Sequence, residues 1–484
     1  MKAAFFSSFL LLAGSSGIIA QNTQDAIRYS LTSPGGTAQS LGMGGASGAV
    51  GGDFGSVIIN PAGLGLYRSS EVVISPNLFN YNAESRFYGQ TEDNSKFNFN
   101  ISNLHMVLHF PSGNQKKTKG WLSSTISIGV NRTANLHQRI SVRGVNTDGS
   151  IVNAAAAASN GSQAADLDPF STLLFWNSYL IDNKPSSNTE YFSQNGMRNG
   201  GATQKINLES SGRIGETNFT YAGNYSNRLY VGGGFSIRRI VYEQSMNHIE
   251  NNETDSVASF SALNYRTQMN ERGSSVAFKG GIIYRANDWF RLGASAILPI
   301  DYNISRSYSS SISSRTAEGL HEGQSPEGRA NYRIRQSPRV TFSMAAILKK
   351  RAIISLDYET VNYSALRLRN EEGSFDKDNE NLRTNYASTG NLRVGAELRF
   401  DEHYIRTGVQ LYGSTKISDP KPFNQTVYAL GVGFRNEGFF VDFAYQLSFQ
   451  KLNFTPYSPE LAMTQLADLK VNRNSLLVSL GTRF

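Results

Sequence analysis

From about residue 71 to the end of the chain, apolar side chains return at every second position rather than every third or fourth. Phe439, Val441, Phe443, Tyr445, Leu447 and Phe449 alternate with Asp442, Gln446, Ser448 and Gln450 among the residues between them. Leu392, Val394, Ala396, Leu398 and Phe400 interleave with Arg393, Gly395, Glu397 and Arg399. A period of two sends the two sets to opposite faces of an extended strand, so these segments read as strands with one apolar and one polar face. A chain so patterned can close into a sandwich or a barrel and has no route to a helical bundle.

Looser versions recur at 102–110, 122–130, 219–225, 229–237, 276–284, 290–298, 340–348, 352–358, 405–411, 427–434 and 476–484. Short connections rich in Gly, Asn, Asp and Lys lie at 111–120, 226–228, 286–288, 349–351, 401–402 and 436–438, as tight turns require. Long polar connections lie between them, at about 82–96, 138–216, 246–271, 308–330, 364–388, 413–425 and 452–472. Short turns at one end and long loops at the other are the layout of an outer-membrane barrel. The thirteen connections predict fourteen antiparallel transmembrane strands over residues 71–484. The apolar face then meets lipid and the polar face meets the lumen, where Arg393, Glu397, Arg399, Asp442 and Gln446, with Lys279, Arg291 and Asp357, are expected. Closure leaves no strand edge unpaired in lipid.

Composition removes the competitors. No run of about 18 apolar residues offers a membrane helix, and 54 aromatic residues argue against disorder. The absence of Cys excludes disulfides, thiolate metal sites and cysteine nucleophiles. The +8 charge is scattered singly and forms no basic stripe, so nucleic acid is not an expected partner.

Residues 1–20 carry Lys2, an apolar stretch and a small-residue exit, the layout of a cleaved signal peptide, with the mature chain starting near Gln21. At the other end Leu476, Val478, Leu480 and Phe484 form an outward stripe that stops on a terminal aromatic; Leu480 and Phe484 resemble the signal read by the barrel-assembly machinery.

Between Gly35 and Gly65, 11 of 31 residues are Gly. No strand precedes Gly42-Met43-Gly44-Gly45 and no Lys-Ser/Thr follows, so it is not a nucleotide loop. A Gly-dense segment folds tightly with little bulk, which suits an element threaded inside a barrel, and 21–70 is expected to be a plug, or hatch. Leu41-Gly42-Met43-Gly44-Gly45-Ala46, Asp53, Ile59-Asn60-Pro61-Ala62-Gly63-Leu64 and Phe484 resemble the FadL/TodX family of outer-membrane transport proteins. The resemblance implies a fourteen-stranded barrel closed by a hatch, uptake of hydrophobic cargo from the loop side, and release sideways through the wall near the third strand.

The longest loop, about 138–216, holds an Ala run and then Asp168-Pro169, a helix start, followed by Phe170, Leu173, Leu174, Phe175, Trp176 and Leu180. Two readings stand: a hydrophobic capture groove, or a helix that packs to cap the barrel. Catalysis finds no support. His105 and His109 are four residues apart on a strand, about 13 Å and too far for one metal. Glu371, Glu372, Asp376, Asp378 and Glu380 read as a solvated acidic loop rather than a calcium site. No cofactor or metal is expected. The sequence therefore points to passive transport of a hydrophobic or amphipathic small molecule, with lipid and lipopolysaccharide as surroundings. A docking barrel bound to other outer-membrane proteins is the competing reading.

Overall fold

The computed structural model describes residues 16–113, 118–193, 202–252, 260–370, 374–419, 421–457 and 461–484, with side chains from residue 23 onward, Phe260 excepted. Residues 1–15, and with them most of the expected signal peptide, lie outside the described residues.

Fourteen antiparallel strands form one sheet closed on itself. They are β1 (Glu71–Phe87), β2 (Gln90–Pro111), β3 (Trp121–Asn135, resumed at Gln138–Asn146), β4 (Ala202–Tyr225), β5 (Leu229–Asn251), β6 (Phe260–Arg285) and β7 (Phe290–Ile297, resumed at Ile300–Thr316). There follow β8 (Gly328–Gln336, resumed at Arg339–Leu348), β9 (Ala352–Asn362, resumed at Arg367–Arg369), β10 (Ser388–Phe400), β11 (His403–Gly413), β12 (Phe423–Arg435), β13 (Phe439–Phe454) and β14 (Ala467–Arg483). Closure is the pairing of β1 with β14, from Glu71 opposite Arg483 to Arg86 opposite Asp468.

The side-chain pattern is inverted relative to a soluble protein. Val231, Phe235, Phe278, Ile282, Phe342, Leu430 and Leu480 point out and are exposed, while Asp357, Arg393, Glu397, Arg406 and Asp442 are buried within. A barrel in lipid places its apolar set outside in this way.

Several expected loops are strand. The segment 82–96 is the tip of the β1–β2 hairpin, joined only through Tyr88 and Gly89, which take φ of 45° and 78°. Likewise 246–271 and 308–330 are largely continuations of β5, β6, β7 and β8. A barrel strand crosses the hydrocarbon in about 9–11 residues, yet β4, β5 and β6 have 24, 23 and 26. Above the apolar band the ladder hydrogen bonds persist while the outward side chains turn polar and the apolar ones, such as Tyr81, Ala83, Ile206 and Leu208, turn inward, so the outward apolar stripe no longer marks the strand. On the opposite rim the turns are short, as expected, and Lys349, Lys350 and Asp401 sit there at positive φ.

Helix α1 (Ser16–Ser30), α2 (Ala38–Gly42) and α3 (Phe54–Ile59) precede the barrel; α4 (Ile151–Ser159), α5 (Thr172–Asn177) and α6 (Asp376–Asn385) lie in the long loops. No described helix is long and apolar enough to cross a membrane.

Candidate functional site

The Gly-rich segment folds around two linked helix caps. Thr37 caps α2, its hydroxyl accepting from Ser40 N at 3.3 Å, and donates to the Asp53 carboxylate at 2.7 Å. Asp53 in turn accepts from Gly55 N at 2.8 Å and so caps α3. Burial pushes the Asp53 carboxyl up from its ordinary range, and the Thr37 hydroxyl opposes that rise. Gly44, Gly45, Gly51 and Gly52 turn the chain at φ of 63–73°, where a side chain is strained. Asn60 Oδ1 accepts from Ala62 N at 3.1 Å and caps the 3-10 turn Pro61–Leu66, with Pro61 at its first position. Gly63 N donates to Asn60 O at 2.9 Å.

This segment is bonded to wall strands around much of the circumference. Asp357 on β9 accepts from Ser47 N at 3.1 Å and Gly48 N at 3.0 Å. Arg291 and Ser295 on β7 donate to Val50 O at 2.5 Å and Ile59 O at 2.8 Å. Gln446 on β13 donates to Leu41 O at 3.0 Å, and Arg435 on β12 to Gln39 Oε1 at 2.5 Å. Glycines of the wall let it approach. A Cβ on Gly395 would lie 2.2 Å from Met43 O, one on Gly408 2.4 Å from Gly44 N, and one on Gly232 2.4 Å from Pro61 C. The sequence reading singled out glycines of the segment and missed these partners. Their signal was Gly at polar-face positions of the strands, where an inward side chain was expected.

Around it the buried charges are paired. Arg406 donates to Glu397 at 2.6 Å and to Asp442 at 2.5 Å, and Arg435 donates to Asp442 at 2.7 Å. Arg393 donates to Glu359 at 2.8 Å. Paired in this way, buried ions avoid the several kcal/mol that an isolated one costs. Arg399 is set apart from this group. It is exposed at the short-turn rim, where its Nε donates to Asp401 O at 2.9 Å, because the alternation ends at the turn. His105 is buried, stacked on Phe54 at 4.2 Å between ring centres, with Nε2 3.3 Å from Glu71.

Higher in the lumen the inward face is apolar, where the alternation read lower on the strands placed the polar face inward. Ile214, Ile240, Tyr302, Ile304, Ile334 and Leu368 project inward and pack on Ala26, Ile27 and Tyr29 of α1. Charged groups fix the helix there. Asp25 bonds Arg28 and Arg306, Tyr29 donates to Glu271, and Arg306 Nε donates to Glu271 at 2.7 Å. Thr23 donates to Asp378 of α6 at 2.8 Å. The acidic stretch expected to be solvated is thus partly a helix holding the N-terminal segment, with Asp378 buried; Glu371 and Glu372 lie outside the described residues. No cluster suited to a metal ion occurs among the described residues.

The wall is interrupted beside this chamber. β2 pairs with β3 only from Pro111 opposite Ser123 to Asn103 opposite Asn131. Beyond, β3 shifts register between Arg132 and Ala134 and stays with β4, while β2 stays with β1. Side chains span the break: Asn135 Nδ2 donates to Asn98 Oδ1 at 3.1 Å, and Lys96 Nζ to Ser210 O at 2.8 Å. The Thr133 carbonyl accepts instead from Ser33 N of the N-terminal segment at 3.0 Å. Phe97 and Phe99 stand outward on the β2 edge, about three-fifths exposed.

The long-loop side chains pack onto the tall strands and on one another. α5 has six residues, preceded by an Asp168 turn in which the carboxylate accepts from Phe170 N at 3.1 Å. Leu174, Phe175 and Leu180 are buried with Ile151, Val152, Leu263 and Ile312, while Leu173 and Trp176 pack at the margin and Phe170 lies 4.6 Å from the Tyr308 ring. An apolar helix at the rim of tall strands gains more by covering β6 and β7 than by facing water.

At the C-terminus Leu480 and Phe484 are exposed on the outer face, and Phe484 exchanges both backbone bonds with Ser70 at 3.0 and 3.1 Å.

Neither a scan of family models nor a search of curated proteins gives a match. Solved structures do match. A FadL homologue of Pseudomonas aeruginosa aligns with TM-score 0.56 at 12% identity over 94% of this chain and 99% of that one. The toluene transporter TodX of P. putida gives 0.54 at 10% over 93% and 99%, and the toluene transporter TbuX of Ralstonia pickettii 0.51 at 14% over 93% and 99%. The resemblance first read from the Gly-rich and Asn-Pro-Ala-Gly elements holds at the level of the fold: this chain is a closed fourteen-stranded barrel built as FadL homologues and the TodX-type channels are built.

Proposed function

We propose that this protein is a passive outer-membrane channel for hydrophobic or amphipathic small molecules, with residues 21–70 as its hatch. The observation that carries this reading is the apolar inward face of Ile214, Ile240, Ile304 and Ile334. A barrel that conducts only ions or polar solutes has no use for buried aliphatic side chains in its lumen, whereas a cargo that partitions out of water does. The wall break between β2 and β3 opens beside that face and supports lateral exit into the membrane. Cargo entering from the loop side competes with the apolar face of α1, and release follows the concentration gradient without nucleotide or cofactor. The terminal Leu480 and Phe484 serve recognition by the assembly machinery.

Native mass spectrometry of the protein drawn from outer membranes in mild detergent tests this reading. A monomer carrying a lipid-like adduct, lost on Ile240→Asp/Ile304→Asp substitution, is the expected result. A stable assembly with other proteins and no adduct would replace channel by docking barrel.

A further inference from the structure

On the outer surface of β4 to β9, directly above the apolar band, lies a depression of about 1260 Å³. The strand register explains its shape. In one row Gly215, Arg239, Ser274, Asn303, Arg333 and Arg369 stand side by side across six strand segments. In the next row up, Arg213 and Arg272 flank Val241, followed by Ser305 and Asn331. Small residues make the floor and long arginines the sides. Arg213, Arg239, Arg272 and Arg369 are exposed, and none of the four forms an ion pair among the described residues. Arg329 at the upper edge lies 3.5 Å from Glu327. Directly below, the outward side chains turn apolar at Ile237 and Val276.

From this arrangement we propose that the depression binds the phosphorylated saccharide headgroup of a lipid in the outer leaflet. Adjacent strands are about 4.8 Å apart, which places Arg239 and Arg369 roughly 19 Å from one another across the small-residue floor. A single inorganic phosphate cannot bridge such a span, but a saccharide bearing more than one phosphate can. Guanidinium groups pair with phosphate oxygens in a planar fork, which makes arginine the fitting donor. Their aliphatic stems reach up from the edge of the band, where charged heads meet the interface. Ile237 and Val276 beneath offer the acyl chains a surface continuous with the site. The rim opposite the short turns is the one the long loops occupy, so the site faces the outer leaflet. The proposal needs this orientation in the membrane and does not depend on what the lumen carries.

The test uses the full-length protein in detergent with bis-phosphorylated lipid A, the same lipid with both phosphates removed, and inorganic phosphate as separate probes. Native mass spectrometry should detect the phosphorylated lipid on the wild type. Its retention should fall about tenfold or more in Arg239→Gln/Arg272→Gln/Arg369→Gln, since charge-assisted bonds are lost. The dephosphorylated lipid should bind wild type and variant equally weakly. These side chains face outward, so the variant should keep its heat-modifiable folded band, and Arg143→Gln/Lys205→Gln/Arg266→Gln, which likewise removes three charges from exposed positions outside the depression, serves as a charge-matched control with retention near wild type. Equal retention of phosphorylated lipid by wild type and triple variant would overturn the proposal. So would inorganic phosphate displacing the lipid at comparable concentration, since the site would then read a lone anion and not a headgroup.

Discussion

Asn60 Nδ2 lies 3.0 Å from the Ile282 carbonyl of β6 and 3.0 Å from the Gly48 carbonyl of its own segment. One buried amide thus closes the fold of the Gly-rich segment and bolts it to the wall. Asn60→Ala removes both bonds and the cap on Ala62 N, and at about 1 kcal/mol per net bond the seating weakens by about 2–4 kcal/mol. Hydrogen exchange in 38–66 should accelerate, and the low current expected of the wild type in planar bilayers should give way to fluctuating openings. Unchanged exchange and current would detach Asn60 from hatch function.

The wall glycines make a sharper test, because the substitution is in the barrel and the effect is in the segment. A Cβ on Gly408 would stand 2.4 Å from both Gly44 N and Met43 C. Gly408→Val should expel the turn at 43–45 while leaving the fourteen-stranded sheet closed. Conductance should rise and the folded band on unheated gels should persist. A silent variant would mean that the close approach is dispensable.

Arg406 is shared by Glu397 and Asp442. Arg406→Met leaves Glu397 buried without its cation and should cost about 3–5 kcal/mol. Asp442 keeps Arg435 at 2.7 Å, so adding Glu397→Gln should recover most of the loss. Urea unfolding in lipid vesicles, followed by the fluorescence of the 3 Trp, reads both. Failure of the second change to rescue would place the cost elsewhere than in the uncompensated carboxylate.

Phe175 is 2% exposed in the loop cluster. Phe175→Ala should destabilise the cap locally by about 3–5 kcal/mol through the cavity it leaves. Chymotrypsin should then cut after the exposed Tyr179 faster, with the barrel core resistant as before. If cleavage is unaltered while cargo uptake falls, the side chain serves capture and not packing.

Deleting Phe484 removes the terminal aromatic and its bonds to Ser70. Membrane yield in cells should fall severalfold, while protein refolded in detergent should melt near the wild-type temperature. A matching fall in melting temperature would assign Phe484 to stability rather than assembly.

Much of this architecture was legible because alternation is a local property. Phe439 to Phe449 and Leu392 to Phe400 announce their two faces without reference to any neighbour, and the turn residues at 401–402 and 436–438 mark reversals on their own. The polar extensions above the band escaped. In the tip of the β1–β2 hairpin around Glu84 and Asp93 the outward side chains are polar and Tyr81, Ala83 and Phe87 turn inward, so the outward apolar stripe of Val72, Ile74 and Leu78 stops although the ladder continues. The apolar lumen face escaped as well, since Ile214, Ile240 and Ile304 sit on inward positions of tall strands where the band below had trained the reading to expect polar groups.

By itself the sequence determined that the chain spans with strands, how many there are, and which end carries the loops, because side-chain period and turn chemistry act over a few residues. Only the tertiary structure decided which buried charge meets which, where the wall parts between β2 and β3, and that glycines at 232, 395 and 408 face the Gly-rich segment. Those depend on register, and register brings together residues hundreds of positions apart that no local pattern links.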